Sequence, residues 1–280
     1  MSIDVKWVRK LFPDLSDLQM LAEGGQKWVF TCIHPKYKKI VLKLIKPGSE
    51  NRLEREIEAV QRIPSNVPKI FEVKVVPSQI GDVVVFLEEF IDGTSLSDLL
   101  KNDVLSKYQL LQLSYDLVYV AMNAENNKIV HRDIKPDNIK IDRNGKAWLL
   151  DFGIARILDM ESKTRTDAVL GPHTPGYGAP EQFRNRKKNI DGRADLFAIG
   201  VTLYESATGI NPFVAGARDR MEVLRRVEVD TLPTLKMTWD AENKFSGFIS
   251  SLTQKYPHQR PSNCREAFEW FDEIYKSLGD

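Results

Sequence analysis

The chain has 280 residues, 42% hydrophobic and 28% charged, with a formal net charge of +1 at pH 7. This is an ordinary globular composition with room for one large domain or two lobes, and a charge so near balance argues against a nucleic-acid binder driven by bulk basicity. The two cysteines, Cys32 and Cys264, have no motif spacing around them, which argues against a disulfide framework or a cysteine-built zinc site and fits a reducing compartment.

The N-terminal MSIDVKWVRKLFPDL carries charge early and lacks the apolar core of a signal peptide. The densest apolar run, Val83 to Leu87, is too short to cross a bilayer. The expectation is a cytoplasmic protein without a membrane anchor in this chain. Residues 1–20 read as a short lead-in helix broken at Pro13. LAEGGQKWVF, Leu21 to Phe30, then sets two glycines before a Trp-Val-Phe strand.

A second strand, Ile40 to Ile45, holds Lys43 inside an apolar run, which calls for an anionic partner if the lysine is buried. Glu50 to Ile63 has Leu53, Ile57, Val60 and Ile63 at helical spacing, with Glu56 at the edge of that stripe and Glu54 and Glu58 as competitors for Lys43. Ile70 to Val76 and Val83 to Leu87 are strands around the turn signal Gly81-Asp82, and Glu88 to Gly93 leaves the sheet. Strands dominate before Gly93 and helices after it. Helices are expected over Ser95–Leu100, Lys107–Asn126, Asp195–Thr208 (buried, capped by Gly209), Arg218–Glu228, Phe245–Tyr256 and Arg265–Leu278.

The densest chemistry lies in Ile129 to Gly153, IVHRDIKPDNIKIDRNGKAWLLDFG. Pro136 stiffens a loop carrying His131, Arg132, Asp133, Lys135 and Asn138. Two apolar runs, Ile139–Ile141 and Ala147–Leu150, flank the turn signal Asp142-Arg143-Asn144-Gly145. Such a hairpin brings Asn138 and Asp151 to one end, as two oxygen ligands of a metal need.

These residues resemble, in order, the signatures of the eukaryotic-like (Hanks-type) serine/threonine protein kinases, and the short form resembles the bacterial members of that family. His131-Arg132-Asp133 with Asn138 matches H-R-D-x-x-x-x-N. Asp151-Phe152-Gly153 matches D-F-G, Val41-Leu42-Lys43 the end of V-A-I-K, and Ala179-Pro180-Glu181 A-P-E. The resemblance runs from about Leu21 to Leu278. It implies an α+β, bilobal fold with a β-rich N-lobe (1–88), a hinge (89–93) and a helical C-lobe (94–280), with ATP between the lobes.

The resemblance also implies roles. Asp133 accepts the substrate hydroxyl proton, Lys135 stabilises the transferring phosphoryl group, and Asn138 and Asp151 hold Mg²⁺, or Mn²⁺ in its place. Lys43 holds the α/β-phosphates and pairs with Glu56. Glu89 and Ile91 of the hinge join the nucleotide-binding set. The glycine-rich loop departs from the family: G-x-G-x-x-G-x-V falls on Ala22, Gly24, Lys27 and Val29, keeping only the middle glycine and adding Gly25. Glu88 falls at the gatekeeper position beside the adenine, where it is a rival partner for Lys43; a one-residue slip would put Leu87 there instead.

Asp195 corresponds to the aspartate that braces the catalytic loop, and Arg260 to the arginine that pairs with Glu181. Arg132 implies activation by phosphorylation, with Ser162, Thr164, Thr166 and Thr174 as candidates. The basic run Arg184, Arg186, Lys187, Lys188 is either a solvated loop or a steering patch for acidic substrates. The expected partners are protein substrates and a transient homodimer for trans-autophosphorylation, with neither nucleic acid nor membrane. Two rivals stay open: a pseudokinase-like nucleotide-binding scaffold, and a small-molecule kinase related to the aminoglycoside phosphotransferases, against which the A-P-E segment and Arg260 argue.

Overall fold

The computed structural model describes residues 5–23, 27–45, 60–78, 81–152, 174–183 and 190–279. The chain divides into two compact units, one of residues 1–61 and 68–92, the other of residues 62–67 and 93–280.

In the smaller unit, helix α1 (Val5–Leu11) stops before Pro13. The lead-in helix expected up to residue 20 is corrected here: Ser16–Glu23 is strand β1. Only Leu18 of this strand is buried, so it carries no period-2 signal, and its backbone ladder to the next strand holds it in place. Four more strands follow, β2 (Lys27–His34), β3 (Lys38–Ile45), β4 (Ile70–Val76) and β5 (Val83–Glu89). They form an antiparallel sheet in the order β1-β2-β3-β5-β4. The sheet continues one residue past Glu88, where the sequence suggested that the chain leaves it, because Glu89 still pairs with Ile40.

Alternation along the three central strands sorts their side chains onto two faces. Trp28, Phe30, Cys32, Ile40, Leu42, Leu44, Val83, Val85 and Leu87 share one buried cluster with Val8 of α1. Each large side chain so buried contributes about 1.5–3 kcal/mol. The intervening residues, Lys43 and Glu88 among them, share the other face.

The larger unit opens with a three-stranded sheet, β6 (Gly93–Ser95), β7 (Ile139–Asp142) and β8 (Ala147–Leu149), in that order. Helix α2 (Leu96–Leu100) is capped by the Ser95 hydroxyl, which accepts from the Asp98 N–H. Helix α3 (Lys107–Asn126) starts at a reciprocal Ser106–Gln109 capping box. It packs on β8, on α5 (Gly192–Thr208) and on α8 (Cys264–Leu278). Before α5 lies one turn of helix, α4 (Pro180–Phe183).

Almost every residue of α5 is buried, and it ends at Gly209 in the left-handed region, φ 76°. Gly200 lets the next-but-one helix approach: an added Cβ would lie 2.6 Å from Thr253 Cγ2. Helix α6 (Arg220–Val229), for all its charge, buries Val223, Leu224 and Val227. Helix α7 (Lys244–Leu252) ends short of the expected Tyr256, where the Thr253 hydroxyl turns back to the Ile249 carbonyl. No helix among the described residues is long and apolar enough to cross a membrane.

Candidate active site

The loop from His131 to Asn138 is fixed from beneath by α5. Asp195, wholly buried, accepts from the N–H of His131 through Oδ2 and of Arg132 through Oδ1, both at 2.7 Å. Burial pushes the Asp195 pKa up, against the pull of those two N–H groups. The His131 ring carries its proton on Nε2, since that atom lies 2.9 Å from the Leu150 carbonyl, which only accepts. Its Nδ1 accepts from the Asp133 N–H at 3.2 Å. The ring of Phe152 meets it edge-on, with centroids 4.8 Å apart.

Arg132 and Asp151 are both in the left-handed region, at φ 69° and 60°. Such backbone costs a non-glycine residue about 1–2 kcal/mol and gathers at functional sites.

Three side chains converge on one carboxylate. Asp133 accepts from Asn138 Nδ2 at 3.0 Å and from Lys135 Nζ at 2.9 Å, both on Oδ2, and from the Thr174 hydroxyl at 2.8 Å on Oδ1. Lys135 also donates to the Thr174 oxygen. The carboxylate therefore stands oriented, with a cation beside it and its side chain 24% exposed, open to a reactant.

Asn138 Nδ2 donates in addition to the Asp133 carbonyl at 2.8 Å, which turns its Oδ1 into the atom available as a hard oxygen ligand. The expected hairpin forms, and the Leu150 N–H donates to the Asn138 carbonyl at 2.8 Å. Asp151 thus follows directly on a residue bound to Asn138. Among the described residues no three His, Cys, Asp or Glu side chains gather into a metal cage. Two protein oxygens suit Mg²⁺, which takes one or two from the protein and the rest from water and phosphates. The residues present fit the metal of the resemblance.

In the smaller unit the sheet register places Ala22 opposite Val29, Val29 opposite Lys43 and Lys27 opposite Ile45. Ala22, Lys27, Val29 and Lys43 accordingly share one face. Val41 pairs with Glu88 on that face, whereas Leu87 pairs with Leu42 and sits in the opposite, apolar cluster. The register alternative is decided in favour of Glu88. Its carboxylate makes a buried ion pair with Lys43, the two side chains being 9% and 6% exposed. Glu89 is tied to the start of β4: its N–H donates to the Lys69 carbonyl and its carboxylate accepts from the Lys69 N–H. Ile91 is buried. Gly24, Gly25 and Glu56 lie outside the described residues, as do Glu54, Glu58, Ser162, Thr164, Thr166 and the basic run from Arg184 to Lys188.

The segment after the site is anchored as expected. Arg260, its side chain fully buried, forms a bidentate pair with Glu181 at 2.6 and 3.0 Å. Gln182 accepts from the Ala179 N–H and donates to the Arg132 carbonyl at 3.0 Å, joining α4 to the loop. Tyr177 donates to Glu205 at 2.6 Å, and burial raises the pKa of both groups.

Three contributions to the site were not read from the sequence, although Thr174 was named there as a candidate for phosphorylation. Thr174 reaches Asp133 from 41 residues away. Asn66 donates to the Ala147 carbonyl, and Asp116 accepts from the Ala147 N–H, each at 2.8 Å, clamping the strand that leads to Asp151. The one available hint was Asp116 itself, a carboxylate inside the apolar stripe of α3.

A family model described as a protein kinase domain matches residues 15–271. A probable serine/threonine-protein kinase of Clostridium perfringens is 26% identical over 267 residues, covering 92% of this chain and 38% of the relative. The probable serine/threonine-protein kinase PknB of Bifidobacterium longum is 30% identical over 242 residues, 80% of this chain and 35% of the relative. PknB of Mycobacterium leprae is 34% identical over 217 residues, 77% and 34% respectively. The chain spans a little over a third of the length of these relatives.

Proposed function

The chain belongs to the protein kinase family, which works with ATP and a divalent metal, and we propose that it transfers the γ-phosphoryl group of ATP to serine and threonine hydroxyls of proteins. The observation that carries this reading is the convergence of Asn138, Lys135 and Thr174 on the Asp133 carboxylate.

Asp133 is proposed to orient the acceptor hydroxyl and take its proton. Lys135, already beside that carboxylate, offers an ammonium to the charge of the transferring group. Lys43 binds the α/β-phosphates, with Ala22, Lys27, Val29, Glu89 and Ile91 around the nucleotide, and Gly24, Gly25 and Glu56 completing the set. Mg²⁺, or Mn²⁺ in its place, supplies neutralisation of phosphate charge when bound, and Asn138 and Asp151 are the oxygen donors that would hold it.

Residues 1–88, 89–93 and 94–280 are taken as N-lobe, hinge and C-lobe. Protein substrates, a cytoplasmic location and trans-autophosphorylation in a transient homodimer belong to the same reading. Relatives that carry serine/threonine kinase names support the substrate class.

The test is incubation with γ-labelled ATP, Mg²⁺ and a generic protein substrate. The wild type should label serine and threonine, and Asp133→Ala should lose about 10²–10⁴-fold in rate, the usual worth of a positioned base. Equal labelling by both proteins sinks the reading. A thermal shift with ATP and Mg²⁺ but no transfer by the wild type would favour the nucleotide-binding scaffold.

A further inference from the structure

Lys43 is met from within its own sheet. β3 and β5 pair antiparallel with Val41 opposite Glu88 and Lys43 opposite Phe86. Lys43 and Glu88 are therefore diagonal neighbours on one face, a separation that two long side chains bridge. Neither strand is an edge: β3 lies between β2 and β5, and β5 between β3 and β4. The two charges are also nearly removed from solvent, at 5% and 7% residue exposure. Burying both ions is costly unless they stay together. The pair is thus fixed by ladder hydrogen bonds on both sides, and separating it leaves the buried Glu88 carboxylate without this cation or breaks the sheet.

We propose that Glu88 is a positioning residue for the phosphate-binding ammonium of Lys43, anchoring it to the sheet core. The proposal rests on the kinase reading above, which gives Lys43 its task. An ammonium carries three donors, so a carboxylate can hold it while phosphate oxygens are still met. The anchor comes from the sheet itself, since both residues lie on paired inner strands.

Glu88→Gln keeps the shape and the acceptor atom and removes the charge. The measurement is kcat and KM for ATP in wild type, Glu88→Gln and Glu88→Asp, with a thermal-unfolding cycle of Lys43→Met, Glu88→Gln and the double variant. A positioning role predicts that kcat falls roughly tenfold in Glu88→Gln, the worth of one charge-assisted hydrogen bond, with KM for ATP moving less. Glu88→Asp should recover part of kcat, and the two single changes should be non-additive in unfolding.

A merely structural carboxylate would shift unfolding and leave kcat alone. Wild-type kcat and KM in Glu88→Gln, in a wild type that transfers phosphate, overturns the proposal and leaves the kinase reading standing. A wild type that transfers no phosphate defeats the kinase reading and this role with it.

Discussion

The loop around Asp133 and the central strands of the smaller unit each set a lysine against a carboxylate, in opposite ways. Lys135 and Asp133 are two residues apart, 18% and 24% exposed, and share Thr174 and Asn138 as further partners. Lys43 and Glu88 are 45 residues apart, nearly buried, and set by strand register. The half-buried pair sits in a polar surround where partners can be exchanged at a lower cost than in the core. The buried pair is costly to open. The first suits groups that must meet a reactant and release it; the second suits a charge that must stay in place.

That contrast can be broken or sharpened in several ways. The largest expected effect is at a second buried pair, Glu181–Arg260. Arg260→Leu strands the Glu181 carboxylate and should cost about 3–5 kcal/mol in chemical denaturation. A loss under about 1 kcal/mol would remove burial as the reason that such pairs resist opening.

Thr174→Val comes next. It deletes the hydroxyl shared by Lys135 and Asp133 but leaves their direct contact at 2.9 Å. A hydrogen bond to a charged group is worth about 1.5–3 kcal/mol, so kcat/KM should fall roughly 10- to 100-fold with the unfolding midpoint little changed. Thr174→Ser, which keeps the hydroxyl, should stay near wild type. Equal losses in both variants would mean that the methyl group matters and the shared hydrogen bond does not.

The smallest effect concerns a half-buried lysine that has no carboxylate partner within ion-pair distance among the described residues. Lys255 donates to the Val227 carbonyl at 2.8 Å and lies 4.4 Å from the Phe213 ring centroid. Burial lowers its pKa to about 8 from 10.5. A depressed folded pKa means that folding favours the neutral amine. Its contribution is fully present above 10.5 and is lost as pH falls towards 8. The melting temperature of the wild type should therefore rise between those two values relative to that of Lys255→Met. Parallel curves for the two proteins would contradict the assignment.

Much of the site was legible because its chemistry is local. The spacing of Asp133, Lys135 and Asn138 and the hairpin that carries Asp151 are set by Pro136 and the turn Asp142–Gly145, all within one short stretch. The sheet face was only half legible: alternation could not choose between Leu87 and Glu88, since Val83 to Glu88 is buried on both faces. Register with β3 made the choice. Asn66 and Asp116, and the contact of Thr174 with Asp133, stayed hidden because their partners are distant in sequence and ordinary in type. β1 was missed because a mostly exposed edge strand has no apolar period to read.

The most direct test of the central claim, that the Asp133 loop is phosphotransfer machinery, is mass spectrometry of wild type and Asp133→Asn after incubation with ATP and Mg²⁺. Phosphoserine or phosphothreonine on the wild-type chain and none on Asp133→Asn is the predicted result. Equal phosphorylation of the two proteins would contradict it.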